Sequence, residues 1–314
     1  MTSGGPAPVL LLATGDTIAR GASRVASGAQ LAAGAPGVVA EDVLAEPSWD
    51  TSPATVFGLA RRARAALLAE GFAGVVITCG VDALEDTAFL VELLTADAAA
   101  RGGIVLTGAV RDRDHPAPDG PANLAASFAT ARAVRGTTVC LDGALHAPRW
   151  VRQVDATSPA GFSSAPHPLL GRVLGDRVVR LADAPPTPPR VAGEPESDVA
   201  LITTYPGVPA ALLSTAVDAG ARGVVLAGTG VGNVPVELFT TIAELTGWDV
   251  PVVVASRAHV PPTPLEDLPL GAGLAAKVGA IGARGLAPGK ARAALAVALG
   301  AGGVSAVREW FARL

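Results

Sequence analysis

The stretch Thr14-Gly15-Asp16-Thr17 follows the apolar run Val9-Leu10-Leu11-Leu12-Ala13 and sets two hydroxyls and a carboxylate on one turn. A threonine at a strand end can act as a nucleophile when a neighbouring group takes its proton. The plainer alternative is that Thr17 only bonds backbone within the turn. A second constellation lies at Thr78-Cys79-Gly80-Val81-Asp82, after the apolar run that begins at Gly74. Asp82 could meet a ligand there or simply cap the helix that follows. Cys79 would need to be a thiolate to react, and a strand-end cysteine in apolar surroundings is ordinarily inert. The glycine pattern Ala227-Gly228-Thr229-Gly230-Val231-Gly232-Asn233 looks like a phosphate loop. It lacks the acidic partner of a dinucleotide fold, so nucleotide binding is a weak expectation.

The elements that must position these residues alternate between strand and helix. Strands are expected at 9–13, 38–44, 74–79, 103–107 and 137–141, with helices from 52 to 70, after residue 83, and from 121 to 133. Leu84, Ala88, Val91 and Leu94 mark the buried stripe of the second helix. Pro121 suits the first turn of the third. Residues 172–180 read as a hairpin around Gly175-Asp176. Residues 20–37 are small and show no periodicity, so they are expected to form a mobile, lid-like loop. Such alternation argues for a mainly parallel sheet covered on both faces. Five prolines between 184 and 195 mark a stiff linker, and a second strand–helix series follows it. The expected organisation is an N-terminal α/β domain over 1–183, a Pro-rich linker over 184–198 and a smaller C-terminal α/β domain over 199–314. In the second domain the closing helices are expected near 291–299 and 304–313.

Composition excludes several classes. Half of the 314 residues are apolar and 17% are charged, enough for sizeable cores. The net charge is −4 with no basic stripe, which argues against nucleic acid and anionic membranes as partners. The N-terminus Met1-Thr2-Ser3-Gly4-Gly5-Pro6 has no basic leader, and the apolar run after it is too short to span a membrane. A cytoplasmic protein is expected. Two cysteines and four histidines, none in ligand spacing, make a metal site improbable.

Taken in order, these segments resemble the bacterial-type asparaginase/glutaminase family. Ala13-Thr14-Gly15-Asp16-Thr17-Ile18-Ala19 is similar to its opening signature, with Asp16 where the family usually has Gly. Ile77-Thr78-Cys79-Gly80-Val81-Asp82-Ala83-Leu84-Glu85-Asp86-Thr87-Ala88 is similar to its second signature. Leu106-Thr107-Gly108-Ala109-Val110-Arg111, Asp119-Gly120-Pro121-Ala122-Asn123-Leu124, the glycine pattern at 227–233 and Leu286-Ala287-Pro288-Gly289-Lys290-Ala291-Arg292 match later blocks. The resemblance implies hydrolysis of the side-chain amide of asparagine or glutamine through an acyl–threonine intermediate, without metal or cofactor. It also implies a homodimer or homotetramer. By position, Thr17 resembles the nucleophile, Ser48 the contact to the substrate carboxylate, and Asp82 the contact to its amino group. Gly80 and Val81 stand at the same corner. Asn233 would reach a neighbouring subunit's site, and Glu266 is the nearest match to a glutamate that also joins it.

Departures from the pattern are concentrated on the reacting groups. Val81 stands where the family has its second catalytic threonine, Gln153 where it has lysine, Cys79 where it has histidine and Trp49 where a glutamine contacts substrate. The only tyrosine, Tyr205, lies far from the lid. Gln cannot titrate and Val has neither proton nor lone pair, so the relay that would activate Thr17 or water is incomplete. Two functions follow as expectations. One is an amidohydrolase for asparagine or a related small amide, using Thr17 with Asp16 and Asp82 and showing weak or altered activity. The other is a relative that binds an amino-acid ligand without turnover.

Overall fold

In a computed structural model, the protein is described over residues 7–186, 189, 193–269 and 271–314. The N-terminal Met1-to-Pro6 stretch lies outside these residues, as does part of the Pro-rich linker at 184–198. The chain divides into two compact units, Met1–Thr187 and Pro188–Leu314.

The first unit is built on an eight-stranded sheet in the order β10-β9-β6-β5-β4-β3-β1-β2. Its parallel half comprises β1 (Val9–Ala13), β2 (Val38–Asp42), β3 (Gly74–Thr78), β4 (Gly103–Thr107) and β5 (Gly136–Leu141). The antiparallel edge is β6 (Ala144–His146), β9 (Gly171–Leu174) and β10 (Arg177–Arg180), the last two forming the expected hairpin. A separate two-stranded ribbon joins β7 (Arg152–Gln153) to β8 (Phe162–Ser163). Every residue of β1, β3 and β4 is buried. Unbroken apolar runs of this kind belong to strands covered on both faces. Helices α2 (Pro53–Leu68), α3 (Leu84–Ala99) and α4 (Gly120–Ala133) supply the cover. Ser52 caps α2 through Thr55 N–H, and Pro53 takes the first turn.

Between β1 and β3 the connectivity reverses direction: the chain leaves β1 for the β2 edge, then returns to β3 on the other side. Parallel sheets bind ligands in the crevice that such a reversal opens at the carboxyl ends of the strands. Here those ends are Thr14 and Thr78, and they are clamped together. Thr78 Oγ1 accepts the Thr14 N–H at 2.9 Å, while Thr14 Oγ1 donates to the Thr78 carbonyl at 2.6 Å. Thr78→Val keeps the shape but leaves the buried Thr14 N–H without that acceptor. It is expected to cost about 1–3 kcal/mol in urea unfolding, the penalty for a lost buried partner.

Residues 20–37 depart from expectation. Instead of an unstructured loop they contain helix α1 (Gly28–Leu31), closed by a capping box between Ser27 and Gln30. Gly28 N–H donates to Asp42 Oδ1 at 2.6 Å, and Ala22 N–H to Asp114 Oδ2 at 2.6 Å. The Ser27-Gly28-Ala29-Gln30 spacing carries this signal in the sequence, masked by the surrounding small residues.

The second unit has a four-stranded parallel sheet, β11 (Val199–Thr203), β12 (Gly223–Gly228), β13 (Val252–Ser256) and β14 (Ile281–Gly282). Helices α5 (Ala211–Asp218), α6 (Phe239–Gly247) and α7 (Pro288–Ala312) pack on it. Helix α7 breaks at Gly302 and Gly303, which separates the two closing helices expected from the sequence. Though long and apolar enough to cross a membrane, its first half packs on β11, β12 and β13 as a core helix.

Candidate active site

The site begins with the backbone after β1. Gly15 and Asp16 both adopt left-handed φ angles, 80° and 63°. Aspartate tolerates this region better than most residues, and such conformations gather at functional sites. The kink turns the Asp16 carboxylate back over its own chain. Oδ1 accepts the Thr17 N–H at 2.6 Å and faces Thr17 Oγ1 at 3.2 Å. Oδ2 accepts the Ser48 N–H at 2.8 Å, tying the turn to the loop after β2. Arg20 approaches Oδ1 to 3.8 Å from the solvent side. The carboxylate is almost wholly buried, its side chain 3% exposed. Sequence position alone left open whether neighbours 16 and 17 face each other; the left-handed turn makes them do so.

Gly80 closes the other side. A Cβ there would overlap Asp16 Oδ2 and Ser48 Oγ, so glycine is what admits the carboxylate. Ser48 Oγ is buried and has no hydrogen-bond partner among the described residues. An orphaned buried hydroxyl calls for an explanation, and a part in ligand binding is one. Val81 is buried at the same corner. Asp82 is exposed and does not cap α3: the cap residue is Ala83, without a side-chain bond. The helix-cap alternative for Asp82 is therefore set aside.

Behind the corner stand residues that the sequence marked only as parts of motifs. A Cβ at Gly108 would run into the Cys79 carbonyl, so β4 can approach the turn closely. Asn123 holds that glycine, donating from Nδ2 to the Gly108 carbonyl at 2.9 Å, and Asp119 accepts the Val110 and Arg111 N–H groups at 3.0 and 2.9 Å. These are positioning contacts, and Asp119 does more than begin a helix. Gln153 lies on β7 with its backbone N–H on Glu85 Oε2 at 2.9 Å, at the first turn of α3. Its Nε2 is buried without a hydrogen-bond partner among the described residues. A buried pair of another kind, His146 Nδ1 and Ser164 Oγ at 2.8 Å, went unnoticed in the sequence because the residues are eighteen apart.

Cys79 is inert by its surroundings. Burial is the largest effect, and with the charges of Asp16 and Asp82 it pushes the thiol up from 9.0 to about 12, outweighing a bond with Thr87. In the native protein Cys79 is expected to resist iodoacetamide at about pH 8 and to react once unfolded, as mass spectrometry can read. Because the native thiol holds its proton above pH 9.0 and the unfolded one does not, this group favours the unfolded chain as pH rises from 9.0 to about 12.

Trp49 follows Ser48 but is 61% exposed. Asn233 lies in the second unit, half-buried, its Oδ1 accepting the Gly273 N–H at 3.1 Å and its backbone paired with Thr229. Glu266 sits on an exposed turn of that unit, and Tyr205 is exposed there as well. Among the described residues no group of three or more His, Cys, Asp or Glu side chains is placed to hold a metal ion.

Comparison with known proteins agrees with this architecture. Residues 8–186 match the Asparaginase, N-terminal family, and residues 198–311 match the Glutaminase/Asparaginase C-terminal domain. A probable L-asparaginase from Deinococcus radiodurans is 35% identical over 244 residues, 75% of this chain and 73% of that one. A glutamyl-tRNA(Gln) amidotransferase subunit from Methanobrevibacter smithii is 29% identical over 60% of this chain, and the match spans 46% of that protein. The crystal structure of a probable cytoplasmic L-asparaginase from Campylobacter jejuni superimposes with a TM-score of 0.83 over 98% of this chain and all of that one, at 24% identity, and so supports the fold. With family matches over both units and a 35% identical relative, the chain belongs to the asparaginase family, hydrolases that act on the carbon–nitrogen bonds of amides.

Proposed function

We propose that the protein hydrolyses the amide of a small molecule through Thr17. The observation that carries this is the Thr17 hydroxyl facing Asp16 Oδ1 at 3.2 Å, on the turn at the sheet's reversal point. Thr17 Oγ1 attacks the amide carbon and its proton passes to Asp16. The carbon–nitrogen bond then breaks, and the nitrogen leaves as ammonia with that proton. Water attacks the resulting ester, giving one proton back to Thr17 and releasing the acid. Asp82 at the mouth offers a negative charge to a substrate amine. With Val81 and Gln153 in place of a hydroxyl and a titratable amine, the relay is shorter than a full threonine–lysine system, and slow turnover is expected. The test is ammonia release from a panel of small amides, by wild type and Thr17→Ala side by side.

A second reading rests on the same two residues. If nothing re-protonates and de-protonates efficiently, the pocket binds a ligand without converting it. Calorimetric binding with no ammonia release from any amide would establish this alternative. A small amide related to asparagine as substrate, a cytoplasmic setting and a homo-oligomer belong to the proposal as well. The two buried free cysteines support the setting, and light scattering would test the assembly.

A further inference from the structure

The Asp16 carboxylate does something besides face Thr17. It takes two backbone N–H donors at the site, those of Thr17 and Ser48. It also fills the space against Gly80 that a ligand group could otherwise enter. A second carboxylate brought to this spot would find those donors occupied. It would stand beside a buried negative charge, with Asp82 two residues past Gly80 adding another. Like charges repel more strongly beside a buried carboxylate than they do in open water. Arg20 offsets this only in part, since it reaches Asp16 from a distance of 3.8 Å and is half exposed itself.

We infer that the site takes amides with no carboxylate beside the reacting group, and favours a neutral or ammonium-bearing head instead. Asp16 acts as a built-in carboxylate at the position where a free one would otherwise bind. The orphaned Ser48 Oγ remains as a neutral hydrogen-bonding group on that wall. This inference rests on the reading that the Thr17 turn is the reacting site, but it makes a separate claim about which ligands enter.

A matched pair of amides tests it: L-asparagine, and 3-aminopropanamide, the same molecule without its carboxylate. Binding is measured by calorimetry in Thr17→Ala protein, where the proposed chemistry is off. With Asp16 in place, 3-aminopropanamide is expected to bind at least about tenfold more tightly. Adding Asp16→Gly, which suits the left-handed φ of 63° and removes both charge and bulk, is expected to reverse the order. Adding Asp16→Asn, which keeps the bulk and removes the charge, is expected to erase most of the preference. Equal or tighter binding of asparagine with Asp16 present would overturn the inference, and so would failure of 3-aminopropanamide to bind. Ammonia release from wild type is scored separately. Selective binding without ammonia defeats the hydrolytic proposal alone, and ammonia from asparagine without selectivity defeats the inference alone.

Discussion

Thr17→Ala is expected to cut ammonia release by at least about a thousandfold, because a covalent route has no substitute for its nucleophile. The change should leave folding nearly intact. Thr17 is only partly buried, and its hydroxyl makes one long bond within a turn whose shape the backbone holds through Asp16. A loss of about 0.5 kcal/mol or less in urea unfolding is anticipated, as for other changes away from cores. Asp16→Asn should fall between the two proteins, with activity down about a hundredfold, the lower end of the usual worth of a positioned base. Its amide oxygen can still accept one of the Thr17 and Ser48 N–H groups, so part of the turn's bonding survives while the proton acceptor is gone. Full activity in Thr17→Ala would move the nucleophile elsewhere. Cys79 is a poor alternative, since its thiol is held protonated up to about pH 12.

Most strands and helices were legible because their residues obey local rules. Buried runs such as Val9–Ala13 and Gly74–Thr78 alternate with helices that start at Ser52-Pro53 and Gly120-Pro121. The corner at 79–82 was also legible as a strand end beside a glycine. Its chemistry was not. Whether Asp16 points toward Thr17 depends on a left-handed backbone angle, and whether its carboxylate can be housed depends on Gly80, sixty-four residues away. Neither is a property of a local window. The same limit hid the roles of Asp119 and Asn123, which were seen as the start of a helix but act on the loop after β4. The error in residues 20–37 has another cause. Small residues suggested freedom, while a four-residue capping box and two aspartate contacts from outside fix the segment.

Gly80→Ala should be nearly as damaging to activity as removing the nucleophile, by a purely steric route. The added methyl would occupy the space of Asp16 Oδ2 and Ser48 Oγ, so the carboxylate must leave or the corner must shift. Either outcome disturbs the contact between Asp16 and Thr17. Misplacing a reacting group by about 1 Å can cost roughly a hundredfold in rate. Overpacking of this kind costs about 1–3 kcal/mol in stability. The double variant Gly80→Ala with Asp16→Gly separates cause from coincidence. Removing the Asp16 side chain clears most of the space the methyl needs, so the double variant should lose much less stability than the two single losses added together. Residues in direct contact couple in this way, and independent ones do not. Additive losses in urea unfolding would mean that Gly80 is required by the backbone and not by the carboxylate it shelters. Activity should stay low in the double variant even as stability returns, because the acceptor for the Thr17 proton is missing. Stability and turnover would then part company at a single residue, Asp16, as they must if its carboxylate is both the filler of the corner and the partner of the nucleophile.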